Sequence, residues 1–103
     1  MTPFVGFDWD AGNREKCEKH GVSIAEIESL FETGASVQPD LDHSDAEERF
    51  KAIGRTEVGR YVFVVFAIRL RGGVQMIRPI SARYMHRKEI EHYEAEAARA
   101  AKR

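Results

Sequence analysis

The stretch Arg60-Tyr61-Val62-Phe63-Val64-Val65-Phe66-Ala67-Ile68 leads through Arg69-Leu70-Arg71-Gly72-Gly73 into Val74-Gln75-Met76-Ile77-Arg78-Pro79-Ile80. Tyr61 to Ala67 is apolar at successive positions, the mark of a strand covered on both faces. Arg71-Gly72-Gly73 reads as a hairpin turn, because paired glycines accept the positive φ that tight hairpins need. Val74 to Ile80 then forms the partner strand. Pro79 lacks an N–H to give the ladder, which implies a bulge or an edge near that strand's end. Upstream, Phe50 to Arg55 alternates loosely and reads as another strand, joined to Arg60 by the turn Thr56-Glu57-Val58-Gly59. Connections this short make an antiparallel meander of three or four strands.

Helices flank this sheet in the reading. Phe7-Asp8-Trp9-Asp10 is a short strand or hook, and Asp10 suits the N-cap of a helix over 11–20, with Gly21 at its αL end. Ser23 and Glu26 have capping-box spacing and open a second helix. Its Ile24, Ile27, Leu30 and Phe31 form one apolar stripe, and Gly34 ends it. Residues 36–49 are polar and acidic, with Pro39 and an acidic run from Asp40 to Arg49. From about Arg87 the chain is helical, with Ile90, Tyr93 and Ala97 on one face; residues 98–103 are expected to fray. The order is two N-terminal helices, an antiparallel sheet and a C-terminal helix: an α+β fold in one domain.

At 103 residues the chain fits a single domain, residues 1–103 with a core over about 7–93. A lone Cys17 excludes a disulfide framework and a cysteine zinc site. No apolar run nears the roughly 20 residues of a membrane span, and the start lacks a signal peptide's pattern, so a cytoplasmic protein is expected. Charge is segregated. Residues 1–52 carry five basic and twelve acidic side chains, and residues 53–103 carry eleven and five. A basic half suggests an anionic partner such as RNA; alternatively, folding interleaves the two halves and the asymmetry disappears.

Phe7-Asp8-Trp9-Asp10, Lys19-His20-Gly21-Val22-Ser23, the acidic segment from Asp40 through Glu47-Glu48-Arg49-Phe50, Ile53-Gly54-Arg55 and Ile80-Ser81-Ala82-Arg83 occur in that order. With this series the chain resembles the BrnT family, toxins of type II toxin–antitoxin pairs, over about Phe7 to Tyr93. The resemblance implies a RelE-like fold and a metal-independent endoribonuclease, without cofactor, that blocks translation. It implies a ribbon-helix-helix antitoxin of the BrnA type, bound in a tetramer of two toxins and two antitoxins. Operator DNA would be met only through that antitoxin.

A ribonuclease without a metal must take a proton from the ribose 2′-OH, give one to the leaving 5′-oxygen and stabilise the phosphorane. By the family motifs Arg55 and Arg83 are the candidates to hold the scissile phosphate, since a guanidinium grips two oxygens in one plane. The bland alternative pairs these arginines with Glu47 or Glu48. Lys19 and His20 close the first helix, where a cation is favoured. His20 is either a general acid or base or a helix-terminal cap. Glu48 is either a base or the carboxylate that orients an arginine, and the second role is preferred. Arg49, Arg87, Tyr93 and His86 are candidate RNA contacts, although the stripe Ile90/Tyr93/Ala97 favours packing for Tyr93. His86 stands where the family usually carries Ser or Thr, so the last helix is expected to start loosely. Asp40, Asp42, His43 and Asp45 invite a metal, but they lack a calcium-loop pattern and read better as an acidic turn.

Two classes of function follow. One is a translation-blocking endoribonuclease. The other is a catalytically weak module that serves as antitoxin partner and co-repressor, motivated by the acidic pI near 6.4 and by His86.

Overall fold

The computed structural model describes residues 4, 6–43 and 47–102. In chain order these form β1 (Gly6–Phe7), α1 (Ala11–Glu18), α2 (Ile24–Glu32), β2 (Ser36–Pro39), a 3₁₀ turn (Leu41–His43), β3 (Phe50–Arg55), β4 (Tyr61–Arg71), β5 (Val74–Tyr84) and α3 (Arg87–Ala101). The five strands make one sheet in the order β1-β5-β4-β3-β2. β2, β3, β4 and β5 pair antiparallel, and β1 pairs parallel with β5 through Gly6↔Met76 and Phe7↔Ile77.

The α+β class stands, but the sheet is mixed and wider than the antiparallel meander expected. Two pairings make the difference, and both are non-local. The hook at Phe7 docks beside β5, and Asp8 N–H extends the ladder to Ile77 O at 2.8 Å. The polar segment Ser36–Pro39 is a strand because β3 offers it an edge, in the register Ser36↔Ile53 to Pro39↔Phe50. All four of its residues are exposed. A short edge strand ending in proline needs no hydrophobic pattern of its own.

The helices α1 and α2 cover one face of the sheet. There Cys17, Val22, Ile27 and Leu30 meet Ala52, Val62, Val64, Phe66, Ile77 and Ala82. Gly54 lets α2 come close: a Cβ there would stand 2.8 Å from Leu30 Cδ2. The run Tyr61–Ala67 is indeed the central strand, with Val62, Val64 and Phe66 buried towards the helices and Val65 and Ala67 buried on the other face.

Asn13 ties α1 to the bulge that Pro79 imposes. Val65 pairs with Ser81 and Phe66 with Pro79, which leaves Ile80 as the extra residue. The buried Asn13 Nδ2 donates to Pro79 O at 2.8 Å and to Asp8 O at 2.9 Å. Its Oδ1 accepts from Asp10 N–H at 2.7 Å, one half of the box that caps α1.

Charge interleaves between the halves. Arg71 meets Asp8, Arg78 meets Asp8 and Asp10, and Arg69 meets Glu47. The basic excess of the C-terminal half is thereby reduced. α3 crosses the face opposite α1 and α2, and no residue of it is buried. Ile90 and Tyr93 are half-buried and Ala97 is exposed, so the apolar stripe only leans on the sheet.

Candidate functional site

β3 ends, β4 begins and β5 ends at one end of the sheet, and three arginines gather there. Each lies over an aromatic ring: Arg55 over Tyr61 at 5.0 Å, Arg83 over Phe63 at 4.9 Å and Arg60 over Tyr84 at 3.4 Å from guanidinium carbon to ring centre. Strand parity distributes them. Arg55 pairs with Tyr61 and Phe63 with Arg83, so these four share the α3 face. Arg60 and Tyr84 belong to the helix face with Val62, which pairs with Tyr84.

On the α3 face Arg83 meets a single carboxylate with both prongs of its fork. Nη1 donates to Glu89 Oε1 at 2.7 Å and Nη2 to Oε2 at 2.8 Å. Glu89 also accepts the His86 N–H at 2.9 Å, satisfying a free donor of the first turn of α3. These bonds, Arg83's above all, hold the Glu89 carboxyl down at about 2, and the guanidinium's pKa is raised in turn. The partner of Arg83 is therefore Glu89, while Glu47 pairs with Arg69 at 3.1 Å. His86 stands at the N-cap of α3, where its side chain makes no capping bond.

Tyr61 links the same site to α3. Its hydroxyl donates to Glu94 Oε2 at 3.0 Å, and its ring meets Tyr93 edge-on at 5.7 Å. Burial first and the Glu94 bond second push the Tyr61 phenol upward. Tyr93, Tyr61 and Arg55 with Ile53 line a cleft of about 360 Å³. A wider groove of about 840 Å³ continues between α3 and the sheet, past Ile53, Phe63, Met85, Lys51, Lys88 and His92.

On the helix face the Tyr84 hydroxyl lies 3.0 and 3.1 Å from the two Glu26 oxygens and 3.4 Å from Gly21 O. Glu26 is fixed as well by the Ser23 N–H at 2.9 Å, the capping-box bond, which is the first cause of its lowered pKa. Lys19 and His20 are exposed in the turn that leads to Gly21, beside this second cluster.

The candidate residues thus fall into three places. Arg55, Arg83, Tyr93 and His86 meet on the α3 face, with Arg87 exposed at the start of α3. Lys19 and His20 belong to the helix face of the same end. Glu48 and Arg49 precede β3 and lie at the opposite end of the sheet, since six strand residues span about 20 Å. Of the acidic cluster, Asp40 is buried beside Arg49, its N–H donating to Arg49 O, and Asp45 lies outside the described residues. Reading the chain missed Arg60, Phe63, Tyr84, Glu26 and Glu89. Glu26 and Glu89 carried a signal in their spacing, each three residues after a helix N-cap, but Arg60, Phe63 and Tyr84 are silent until strand register is known.

A search of curated proteins finds no match. The family described as ribonuclease toxin, BrnT, of type II toxin-antitoxin system matches residues 9–89. That span takes in Lys19, His20, both aromatic-backed clusters and the Arg83–Glu89 pair, and it ends before Tyr93. Covering most of the chain and every strand but β1, the match establishes that this protein belongs to the BrnT family of ribonuclease toxins.

Proposed function

We propose that the chain cleaves RNA without a metal, by attack of a ribose 2′-oxygen on the adjacent phosphorus, and that its fold is RelE-like. The observation that carries this reading is the Arg83 fork, set over Phe63 and closed on a carboxylate. A fork that grips two carboxylate oxygens grips two phosphate oxygens equally well. In the reaction the P–O2′ bond forms as the P–O5′ bond breaks. A base takes the 2′-OH proton, an acid protonates the departing 5′-oxygen, and a cyclic phosphate is left on the upstream strand. Arg83 and Arg55 stabilise the charge on the equatorial oxygens. His20 serves as the proton carrier, with Lys19 beside it, because both lie at the same end of the sheet as the arginines. Glu48, at the other end, orients a nearby arginine, and Arg49 and Arg87 contact RNA further along.

RNA must take the Glu89 oxygens' place on Arg83. That exchange also favours a second reading, in which the isolated chain is closed and acts mainly as antitoxin partner and co-repressor. The partner we propose is a BrnA-type ribbon-helix-helix antitoxin, two copies with two toxins, through which operator DNA is met. The open groove under α3 supports such a partner. Cleavage of cellular RNA in the cytoplasm would stop translation; among the described residues no helix is long and apolar enough to cross a membrane.

The test is total RNA in EDTA, with and without ribosomes, using wild type, Arg83→Ala and Arg55→Ala. Cleavage by the wild type, reduced about 10²–10³-fold in each variant, is expected. Equal cleavage by all three removes the clamp. Intact RNA in every tube replaces the enzyme with the co-repressor.

A further inference from the structure

We propose that Arg60 is a third phosphate-binding arginine, placed on the helix face so that RNA held by Arg55 and Arg83 crosses the end of the sheet onto it. This rests on the ribonuclease reading and adds a residue and a substrate path to it.

Arg60 and Tyr61 are neighbours at the start of β4, and alternation sends them to opposite faces. Tyr61 supports Arg55 on one face, and Tyr84 supports Arg60 on the other. The two guanidiniums therefore flank one edge of the structure, separated by the turn Thr56–Gly59. That turn is itself pinned, by Thr56 N–H to Arg60 O at 2.8 Å and Arg60 N–H to Thr56 Oγ1 at 3.2 Å.

The environment of Arg60 is that of a ligand site and differs from that of a structural ion pair. Arg69, Arg71, Arg78, Arg83 and Arg99 all have carboxylate partners. Among the described residues Arg60 has none within ion-pairing distance, and it is exposed. Its charge acts on the Glu26 carboxylate from beyond ion-pairing distance, and the Glu26 oxygens are already engaged by the Ser23 N–H and the Tyr84 hydroxyl. An exposed surface arginine without a partner normally samples many rotamers. Here a ring at 3.4 Å holds the guanidinium flat, and Glu26 and Gly21 hold that ring in place. Stacking covers one face of the guanidinium and leaves its in-plane N–H donors free, which is the geometry that a phosphate needs. Lys19, exposed in the adjoining turn, adds a positive charge on this side.

The test is binding of a fluorescent single-stranded 2′-O-methyl RNA 12-mer, which the 2′-attack cannot cleave, measured by anisotropy across salt concentrations. Wild type, Arg60→Ala, Arg60→Gln and Arg55→Ala are compared. Arg60→Gln retains an aliphatic stem on Tyr84 while removing the charge. Both Arg60 variants should bind several-fold more weakly, with the log K against log salt slope shallower by about 0.7, the value for one phosphate on a single strand. Arg60→Lys should restore the slope. Weaker binding with an unchanged slope overturns the phosphate assignment. Unchanged binding in the Arg60 variants, with loss in Arg55→Ala, overturns the crossing path while leaving the ribonuclease reading intact. No binding by the wild type overturns both.

Discussion

Glu89 closes both prongs of the Arg83 fork, at 2.7 and 2.8 Å, from the first turn of a helix that has no buried residue. A residue proposed to hold phosphate is thus already holding a carboxylate. The pair is about one-third exposed on each side, so its contribution to stability is about 1 kcal/mol or less once solvent screening is allowed for.

Glu89→Gln should therefore tighten RNA binding while scarcely affecting the fold. The amide keeps an oxygen for the His86 N–H and loses the charge that competes with phosphate. We expect a gain of about tenfold in affinity for a short RNA, which is about 1.4 kcal/mol, together with a fall in thermal stability of about 1 kcal/mol. Weaker RNA binding in this variant would show that Glu89 positions Arg83 for substrate and does not compete with it.

The same pair sets an acid limb of stability. The Glu89 carboxyl is held at about 2 in the folded chain against an ordinary 4.5. A lowered folded value means that the contribution is fully present above about 4.5 and is lost as pH falls towards 2. Asp10 and Glu26, also lowered by their capping bonds, act in the same direction. Denaturant titrations at pH 6, 4 and 2.5 should show stability declining mostly over the lower interval, less steeply in Glu89→Gln. Equal slopes for the two proteins would contradict the role given to this pair.

Asn13 is the polar residue whose loss should cost most. Asn13→Ala strands the buried Pro79 carbonyl and removes the Asp10 N–H acceptor, so a loss of about 2–3 kcal/mol is expected. Chemical denaturation measures it. A loss under about 0.5 kcal/mol would mean that another donor satisfies the bulge.

Cys17 is fully buried, and burial pushes its thiol up to about 11. It should resist an aromatic disulfide reagent at pH 8 and react at the rate of global unfolding. Rapid stoichiometric labelling of the native chain would show that α1 opens locally.

His20→Ala tests the proton carrier. A loss of about 10²–10⁴-fold in cleavage rate is expected, with one limb of the pH–rate profile removed and RNA affinity retained. An unaltered profile would reassign the role to Lys19.

Local chemistry was legible along the chain wherever neighbours in sequence settle it. Seven apolar residues from Tyr61 to Ala67 can only be buried on both faces, and Gly72-Gly73 turns the chain whatever surrounds it. Pro79 must interrupt a ladder, and Ser23 with Glu26 caps a helix from within four residues. Arg55 and Arg83 stood out by motif. Pairing between distant segments was not legible. Nothing in Ser36–Pro39 marks a strand until β3 presents an edge, and nothing at Gly6–Phe7 specifies a parallel neighbour in β5. The site follows the same division. Side chains alternate faces with a period of two, so parity within one strand can be read directly. The parity between strands depends on register, which turns, a bulge at Ile80 and core packing set together. That register put Arg83 with Arg55 under α3, sent Arg60 to Tyr84 on the far face, and left Glu48 about 20 Å away.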